Sequence, residues 1–422
     1  MRAERLVVSG GATLRGAVQV SGAKNAALPA MAASLLSAEP CVLENVPDIV
    51  DVGLMARILE TLGTRVERLG PTTLRLQTEE VTSTAAPNDL VVNQRASFLV
   101  TGALLGRCGR AACAPPGGDV IGQRPIDLHL SGFRSLGAEV ERRGARISVQ
   151  APGGLRGSRI LLDYPSVLGT QNLMLAAVLA EGTTTIINAA SEPEIVCLAE
   201  MLRRMGAKIE GAGTQVIRIQ GVERLSGTTQ TIIPDRIEAG TFAIAAAITG
   251  GDVEICGAEP RHMEALICKL QEVGAQVEER EGAVRVRRTG PMRAVSVQAV
   301  PYPGLATDLQ APMAALLTQA TGVSFVHERV FDNRLLYVGE LRKLGAEVVS
   351  AGTTAVISGP TPLVGATVRA LDIRSGAALV LAALVAQGTT EIYEVDHLAR
   401  GYEEMDVKLR ALGASVYREQ AS

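Results

Sequence analysis

RMGAKIE, residues 204–210, closes a stretch of helical apolar spacing and opens a strand, and it is one of six such phrases. The others are TLGTRVE (61–67), SLGAEVE (135–141), EVGAQVE (272–278), KLGAEVV (343–349) and ALGASVY (411–417). Their glycines, Gly63, Gly137, Gly206, Gly274, Gly345 and Gly413, lie 74, 69, 68, 71 and 68 residues apart. A period so nearly constant marks an internal duplication. Before each glycine the apolar residues recur at helical spacing, as in CLAEMLRRMG (197–206) and YEEMDVKLRALG (402–413). The glycine is placed to take the left-handed conformation that ends the helix, and the β-branched residues after it begin a strand.

A second phrase recurs upstream in each copy. It reads FLVTGALLGRCGRAAC (98–113), LMLAAVLAEGTTTIIN (173–188), FAIAAAITGGDVEIC (242–256), MAALLTQATGVSFV (313–326) and LVLAALVAQGTTEIY (379–393), with a looser first copy, MAASLLSAEPCVLEN (31–45). These are helices apolar almost all round, and a helix without a polar face is a buried one. Each unit reads as buried helix, strand, amphipathic helix, strand, with further strands following. Units of about 70 residues exceed the common solenoid repeats of roughly 20–45 residues. Two closed domains of three units each, with helices inside and sheets facing solvent, are the economical arrangement. The Ala-rich helices at 172–180, 241–249 and 377–386 are expected to be buried.

Composition agrees with an α/β protein of two or three domains in 422 residues, with 47% hydrophobic and 20% charged residues. Trp is absent and aromatics make up 3%, so the core is built from Ala, Val, Leu and Ile. Basic and acidic residues nearly balance, 41 against 44, with no long basic block, which argues against a nucleic-acid partner. MRAERLVVSGG lacks the pattern of a signal peptide, and the longest apolar run, Ala377 to Ala386, is roughly half a membrane span. A cytoplasmic protein without a membrane partner is expected. The six cysteines show no CxxC pair and the four histidines are scattered, so buried or half-buried free thiols and no metal are expected.

Four places carry charge or glycine that a mere scaffold does not need. In SGAKNAALPA (21–30), Lys24 and Asn25 open the first Ala-rich helix, where an ammonium, an amide and free backbone N–H groups together suit an anion. A lysine at a helix start is ordinarily just solvated. The loop APPGGDVIGQRP (114–125) combines Gly117, Gly118 and Gly122 with Asp119, Gln123 and Arg124. Such loops often close over substrates, although an ordinary surface loop reads the same way, and the GKS or GKT ending of a P-loop is missing. In LATDLQAP (305–312), Asp308 precedes an apolar helix, as an N-cap or as a general base for a hydroxyl. Arg95, Arg334, Arg374 and Arg400 sit at related positions in the repeats and would form a fork for carboxylate and phosphate if they converge.

These phrases together closely resemble the UDP-N-acetylglucosamine 1-carboxyvinyltransferases, enzymes of the first committed step of bacterial peptidoglycan synthesis. The similarity runs over essentially the whole chain: SGAKNAALPA, PGGDVIGQRPIDLH (116–129), IPDRIEAGTF (233–242), TDLQAP, DNR and RGYE. The resemblance implies a two-domain inside-out α/β barrel, six βαβαββ units, three per domain. One domain would comprise residues 1–23 plus 234–422, and the other, residues 24–233, would carry the loop 114–125. The active site is expected in the cleft between them. The implied reaction is addition–elimination, in which the sugar 3′-hydroxyl attacks C2 of phosphoenolpyruvate, C3 is protonated and phosphate leaves. No cofactor is implied, and phosphoenolpyruvate and UDP-N-acetylglucosamine are the implied partners.

By resemblance Lys24, Arg124 and Arg400 surround the phosphate and carboxylate of phosphoenolpyruvate. Arg95, Arg334 and Arg374 join that ligand cluster, with Asn25 and Asp308 near the sugar. Pro125, Asp127, His129, Ser166, Val167 and Val330 are the further substrate-binding positions it implies. Most members carry a cysteine at the apex of the loop, the target of the epoxide fosfomycin, where this chain has Asp119; a minority carry Asp. A thiol and a carboxylic acid both donate a proton, but an Asp must have its pKa raised from about 3.9 to do so near neutrality. DYPSVLG (163–169) also departs from the family, in which the glycine follows the valine directly. The rival readings are the sister synthase of 5-enolpyruvylshikimate 3-phosphate, a non-catalytic UDP-sugar-binding paralogue, and a repeat-based interaction protein. The SKS and GNAGT phrases of the sister enzyme are missing here.

Overall fold

The structure is a computed structural model that describes residues 4–119, 121–122 and 125–420. The chain divides into two compact units. One holds the described residues up to Ser21, Ile121 and Gly122, and those from Pro234 onward. The other holds Gly22–Asp119 and the described residues from Pro125 to Ile233.

Each unit contains three small sheets and three Ala-rich helices. In the first unit the helices are Arg236–Ile248, Gln310–Leu317 and Ile373–Val385. In the second they are Lys24–Ala33, Leu99–Cys108 and Val167–Ala177. The helices expected at 172–180, 241–249 and 377–386 thus begin four to five residues earlier, because polar caps lie upstream of the apolar runs. The Asp235 carboxylate accepts from Ile237 N at 2.8 Å and Glu238 N at 3.2 Å. Asp372 forms a capping box with Ser375. Every residue from Ile237 to Ile248 is buried, and so is every residue from Ile373 to Leu384. Small side chains permit this packing: a Cβ on Gly102 would stand 2.1 Å from Asn172 Oδ1.

One sheet plan is repeated in all six copies. The strand after the buried helix pairs antiparallel with a central strand, and that strand pairs antiparallel with the one opened by the glycine phrase, which forms the sheet edge. In five copies these last two strands form a hairpin; in the sixth the central strand is the N-terminal Glu4–Ser9. In five copies a strand adds in parallel on the other side; in four it comes from earlier in the chain, whereas Thr228–Thr231 returns to pair with Cys41–Glu44 and closes the unit. In the copy built on Arg110–Cys113 a single parallel bridge, Ala85 to Ala112, takes that place. The strands alternate, as in Val216–Gln220, where Ile217 and Ile219 face the helices while Arg218 and Gln220 face solvent.

All six phrase glycines have positive φ, from 91° to 113°. In each case the next residue's N–H reaches back five residues to a helix carbonyl, from Thr64 to Leu59 through Ala414 to Leu409, at 2.9–3.2 Å. That is the Schellman closure, and it is why glycine recurs at this position. All six cysteines are free; Cys268 is exposed, contrary to the expected burial, because it lies on the solvent side of an amphipathic helix. Among the described residues no helix is long and apolar enough to cross a membrane.

Candidate active site

Of the polar residues singled out in the sequence, Lys24 and Arg374 lie in the first turn of buried helices and Asp308 lies just ahead of one. In the second unit Lys24 is the first residue of its helix and only 9% exposed. Its Nζ lies 3.4 Å from Asp51 Oδ2, at the start of the helix Val50–Thr61, and Gln94 Nε2 donates to the Asp51 carbonyl at 2.9 Å. Lys24 is therefore not a solvated surface lysine. Asn25 beside it is half-buried.

Arg95 spans the mouth of the glycine-rich loop, donating to the Pro116 carbonyl at 3.3 Å and the Pro125 carbonyl at 3.0 Å. Gly117 passes so close to Val92 that a Cβ would stand 1.6 Å from its carbonyl oxygen. Asp119 is half-buried, and Arg124 lies outside the described residues. Pro125 and Asp127 are exposed, the latter in the first turn of the helix Asp127–Ser135. Ser166 caps the helix Val167–Ala177 by accepting from Gly169 N at 3.1 Å, so its hydroxyl already has a structural task. Val167 is half-buried in the first turn.

His129 is a core residue. Its Nδ1 meets Asn172 Nδ2 at 3.0 Å and its ring stands edge-on to Phe98. Asn172 also donates to the Phe98 carbonyl and accepts from Gly102 N, which joins three helices. Burial, aided by the Arg95 cation, pushes the imidazole pKa down to about 3, so the ring is neutral. Burial also pushes the Cys113 thiol, just ahead of the loop, up to about 12.

In the first unit the cluster centres on Asp308. It sits in a 3-10 turn, Thr307–Leu309, and its side chain caps neither that turn nor the helix after it. Instead it accepts from Arg334 Nη2 at 2.9 Å and from Arg374 Nε at 3.1 Å. Both arginines are buried, 5% and 3% exposed. Arg334 also donates to Thr307 Oγ1, which donates to Glu328, and Glu328 accepts from the Val330 and Phe331 N–H groups. Arg374 lies over the Tyr402 ring at 5.0 Å. Burial works against its charge, but Tyr402, Asp308 and Asp235 more than offset that, and its pKa lies above the ordinary value. Arg334 Nε and Arg374 Nη1 are buried without an acceptor among the described residues, an arrangement suited to an anion. Arg400 ends the helix Asp396–Ala399, and Gly401 follows, where a Cβ would crowd Ile373 at 2.6 Å.

Of the four arginines, Arg334 and Arg374 meet on one carboxylate, whereas Arg95 holds the loop of the other unit. Sequence reasoning missed Asp51, Gln94, Asn172, Glu328 and Tyr402. Only Tyr402, inside the RGYE phrase, stood in a motif that was already conspicuous.

Buried helices ringed by small outward-facing sheets, with charge gathered at the helix starts, define the enolpyruvyl transferase class. The family model described as EPSP synthase (3-phosphoshikimate 1-carboxyvinyltransferase) matches residues 8–409. The enolpyruvyl transferase NikO from Streptomyces tendae has a similar structure, with a TM-score of 0.90 at 27% identity over 100% of both chains. An EPSP synthase from Acinetobacter baumannii shares the fold at 17% identity, with a TM-score of 0.76 over 99% of this chain and 100% of that one. A UDP-N-acetylglucosamine 1-carboxyvinyltransferase of Solibacter usitatus is 50% identical, covering 98% of this chain and 99% of the relative. Another, of Finegoldia magna, is 48% identical over 96% of each chain. The chain belongs to the UDP-N-acetylglucosamine 1-carboxyvinyltransferase family.

Proposed function

We propose that this chain transfers the enolpyruvyl group of phosphoenolpyruvate to the 3′-hydroxyl of UDP-N-acetylglucosamine. The observation that carries this reading is the Asp308 carboxylate, aimed by two buried guanidinium groups. A carboxylate held in this way accepts the hydroxyl proton as the oxygen attacks C2. Asp119, as the carboxylic acid, delivers a proton to C3. Loss of a proton from C3 as phosphate leaves C2 then restores the double bond.

Lys24 supplies a cation for the phosphate, with Arg124 and Arg400 serving the same anion. The unfilled donors of Arg334 and Arg374 offer further hydrogen bonds to charge that develops during addition. Asn25 is assigned to the sugar, with Pro125, Asp127, Ser166, Val167 and Val330 toward the nucleotide sugar. His129, neutral and locked to Asn172, acts by positioning the Asp127–Ser135 helix rather than by touching substrate. Phosphate release from phosphoenolpyruvate, measured with UDP-N-acetylglucosamine and separately with shikimate 3-phosphate, tests the reading. Turnover is expected with the first acceptor alone, and turnover with the second alone would overturn it.

A further inference from the structure

The strand that follows the buried helix is four or five residues long in five repeats and seven in the remaining one, Gly322–Glu328. In four of the shorter ones the chain turns two residues past a buried Leu43, Ile186, Ile255 or Ile392. There Asn45, Asn188, Gly257 and Glu394 have φ from 55° to 79°. Two residues past the buried Val326 comes Glu328, which stays in its strand opposite Ala299. It is 1% exposed. A repeated plan broken in order to bury a charged group marks a task other than folding.

Each oxygen of Glu328 holds a different piece of the site. Oε1 accepts from Val330 N at 2.7 Å and Phe331 N at 3.2 Å, which fixes the segment leading into Arg334. Oε2 accepts from Thr307 Oγ1 at 2.6 Å. A hydroxyl has a single proton, and with that proton given to Glu328 its lone pairs are left for Arg334 Nη1, 2.9 Å away. Arg334 Nη2 donates to Asp308 at 2.9 Å. Donation therefore runs one way, from guanidinium to hydroxyl to carboxylate, and Glu328 sets its direction. The Phe331 ring lies 5.4 Å from the Arg334 guanidinium, so the two arms meet again there.

We propose that Glu328 is a positioning residue that makes the aim of Asp308 and the seating of the sugar nucleotide depend on each other. This role rests on the assignment of Asp308 as the base and of Val330 as a contact of the sugar nucleotide. One arm places Val330, and the other places Arg334 and through it Asp308. The two oxygens of a carboxylate are fixed relative to each other, so a shift in one arm is passed to the other.

Steady-state phosphate release, with each substrate varied in turn, tests this. In Glu328→Gln the single amide oxygen stays with the two backbone N–H groups, and the NH2 group faces Thr307. Thr307 then receives two donors and loses the acceptor for its own proton, so the relay breaks while the 330–331 segment holds. kcat is expected to fall about tenfold, with the KM for UDP-N-acetylglucosamine within about twofold of native. Thr307→Val should lose as much in kcat, and Thr307→Ser, which returns the hydroxyl, should recover most of that loss. Glu328→Ala cuts both arms and should add a rise of about tenfold in the KM for UDP-N-acetylglucosamine.

Native kcat in Glu328→Gln, a KM for the sugar nucleotide that Glu328→Ala leaves unchanged, or a Thr307→Ser variant no better than Thr307→Val would overturn the proposal alone. A native chain that turns over only shikimate 3-phosphate would overturn it together with the function on which it rests.

Discussion

Lys24 and Asp308 occupy comparable places, each at the start of an Ala-rich buried helix, and they are held in opposite ways. Asp308 is fixed by two buried arginines at 2.9 and 3.1 Å, which Thr307, Glu328 and Tyr402 orient in turn. Lys24 has a long stem and stands 3.4 Å from the Asp51 carboxylate, a looser pairing. A base must be aimed before the reaction starts, because proton transfer depends on tenths of an ångström. A cation that receives a phosphate gains from being able to exchange one anion for another. On the proposed assignment, the same chassis serves a rigid task in one unit and an adjustable one in the other.

The largest effect should come from the rigid side. Asp308→Asn keeps the size and one hydrogen-bond acceptor but removes the base, and kcat should fall about 10³-fold with the fold retained. A variant within tenfold of native turnover would remove Asp308 from the catalytic role.

The adjustable side should lose less. Lys24→Ala is expected to cost on the order of a hundredfold in kcat/KM. Asp51→Asn, which leaves the ammonium in place, should cost about tenfold at most. If Asp51→Asn proves the more damaging, Lys24 serves as a structural cation and the contrast with Asp308 collapses.

Asp119 sharpens the comparison chemically. The family's fosfomycin reaction needs a thiolate at this loop position, and a carboxyl group is a poorer nucleophile. The other thiols offer no substitute near the loop, since burial pushes Cys113 up to about 12. Incubation with fosfomycin and intact-mass analysis should show no adduct on the native chain and one adduct on Asp119→Cys. Asp119→Asn, which cannot donate the proton, should lose about a hundredfold in rate. A stable adduct on the native protein, with activity lost in step, would falsify the account.

Much of the fold was legible because one physical signal was repeated six times. A glycine after a helical apolar run forced the left-handed closure at Gly63, Gly137, Gly206, Gly274, Gly345 and Gly413, and each closure is present. The exact starts of the buried helices were less legible, because Asp235 and Asp372 cap from outside the apolar runs. In the site, residue type was readable but partnership was not. Asp308 reads equally well as an N-cap until Arg334 and Arg374, 26 and 66 residues away, are placed against it. Asp51 and Asn172 carry no local signature, since what matters in each is a contact 27 or 43 residues distant.

His129 shows the same limit and supports the smallest of the predictions. From sequence it belonged with the substrate-binding residues of the PGGDVIGQRPIDLH phrase. In the fold it is sealed beneath Phe98 and Asn172, with its pKa pushed down to about 3. In the unfolded chain an imidazole titrates near 6.5. Between these two values the unfolded state binds a proton that the folded state refuses, so stability declines as pH falls through this window and is complete above it. The slope approaches about 1.4 kcal/mol per pH unit, or about 2.5 kcal/mol between pH 7 and pH 4.5. His129→Gln keeps an acceptor for Asn172 but does not titrate, and it should flatten the acid side of the stability curve by that amount. Urea midpoints of the two proteins at the two pH values provide the measurement. Parallel acid slopes would mean that the ring takes up its proton in the folded state, and His129 would return to the substrate-binding group.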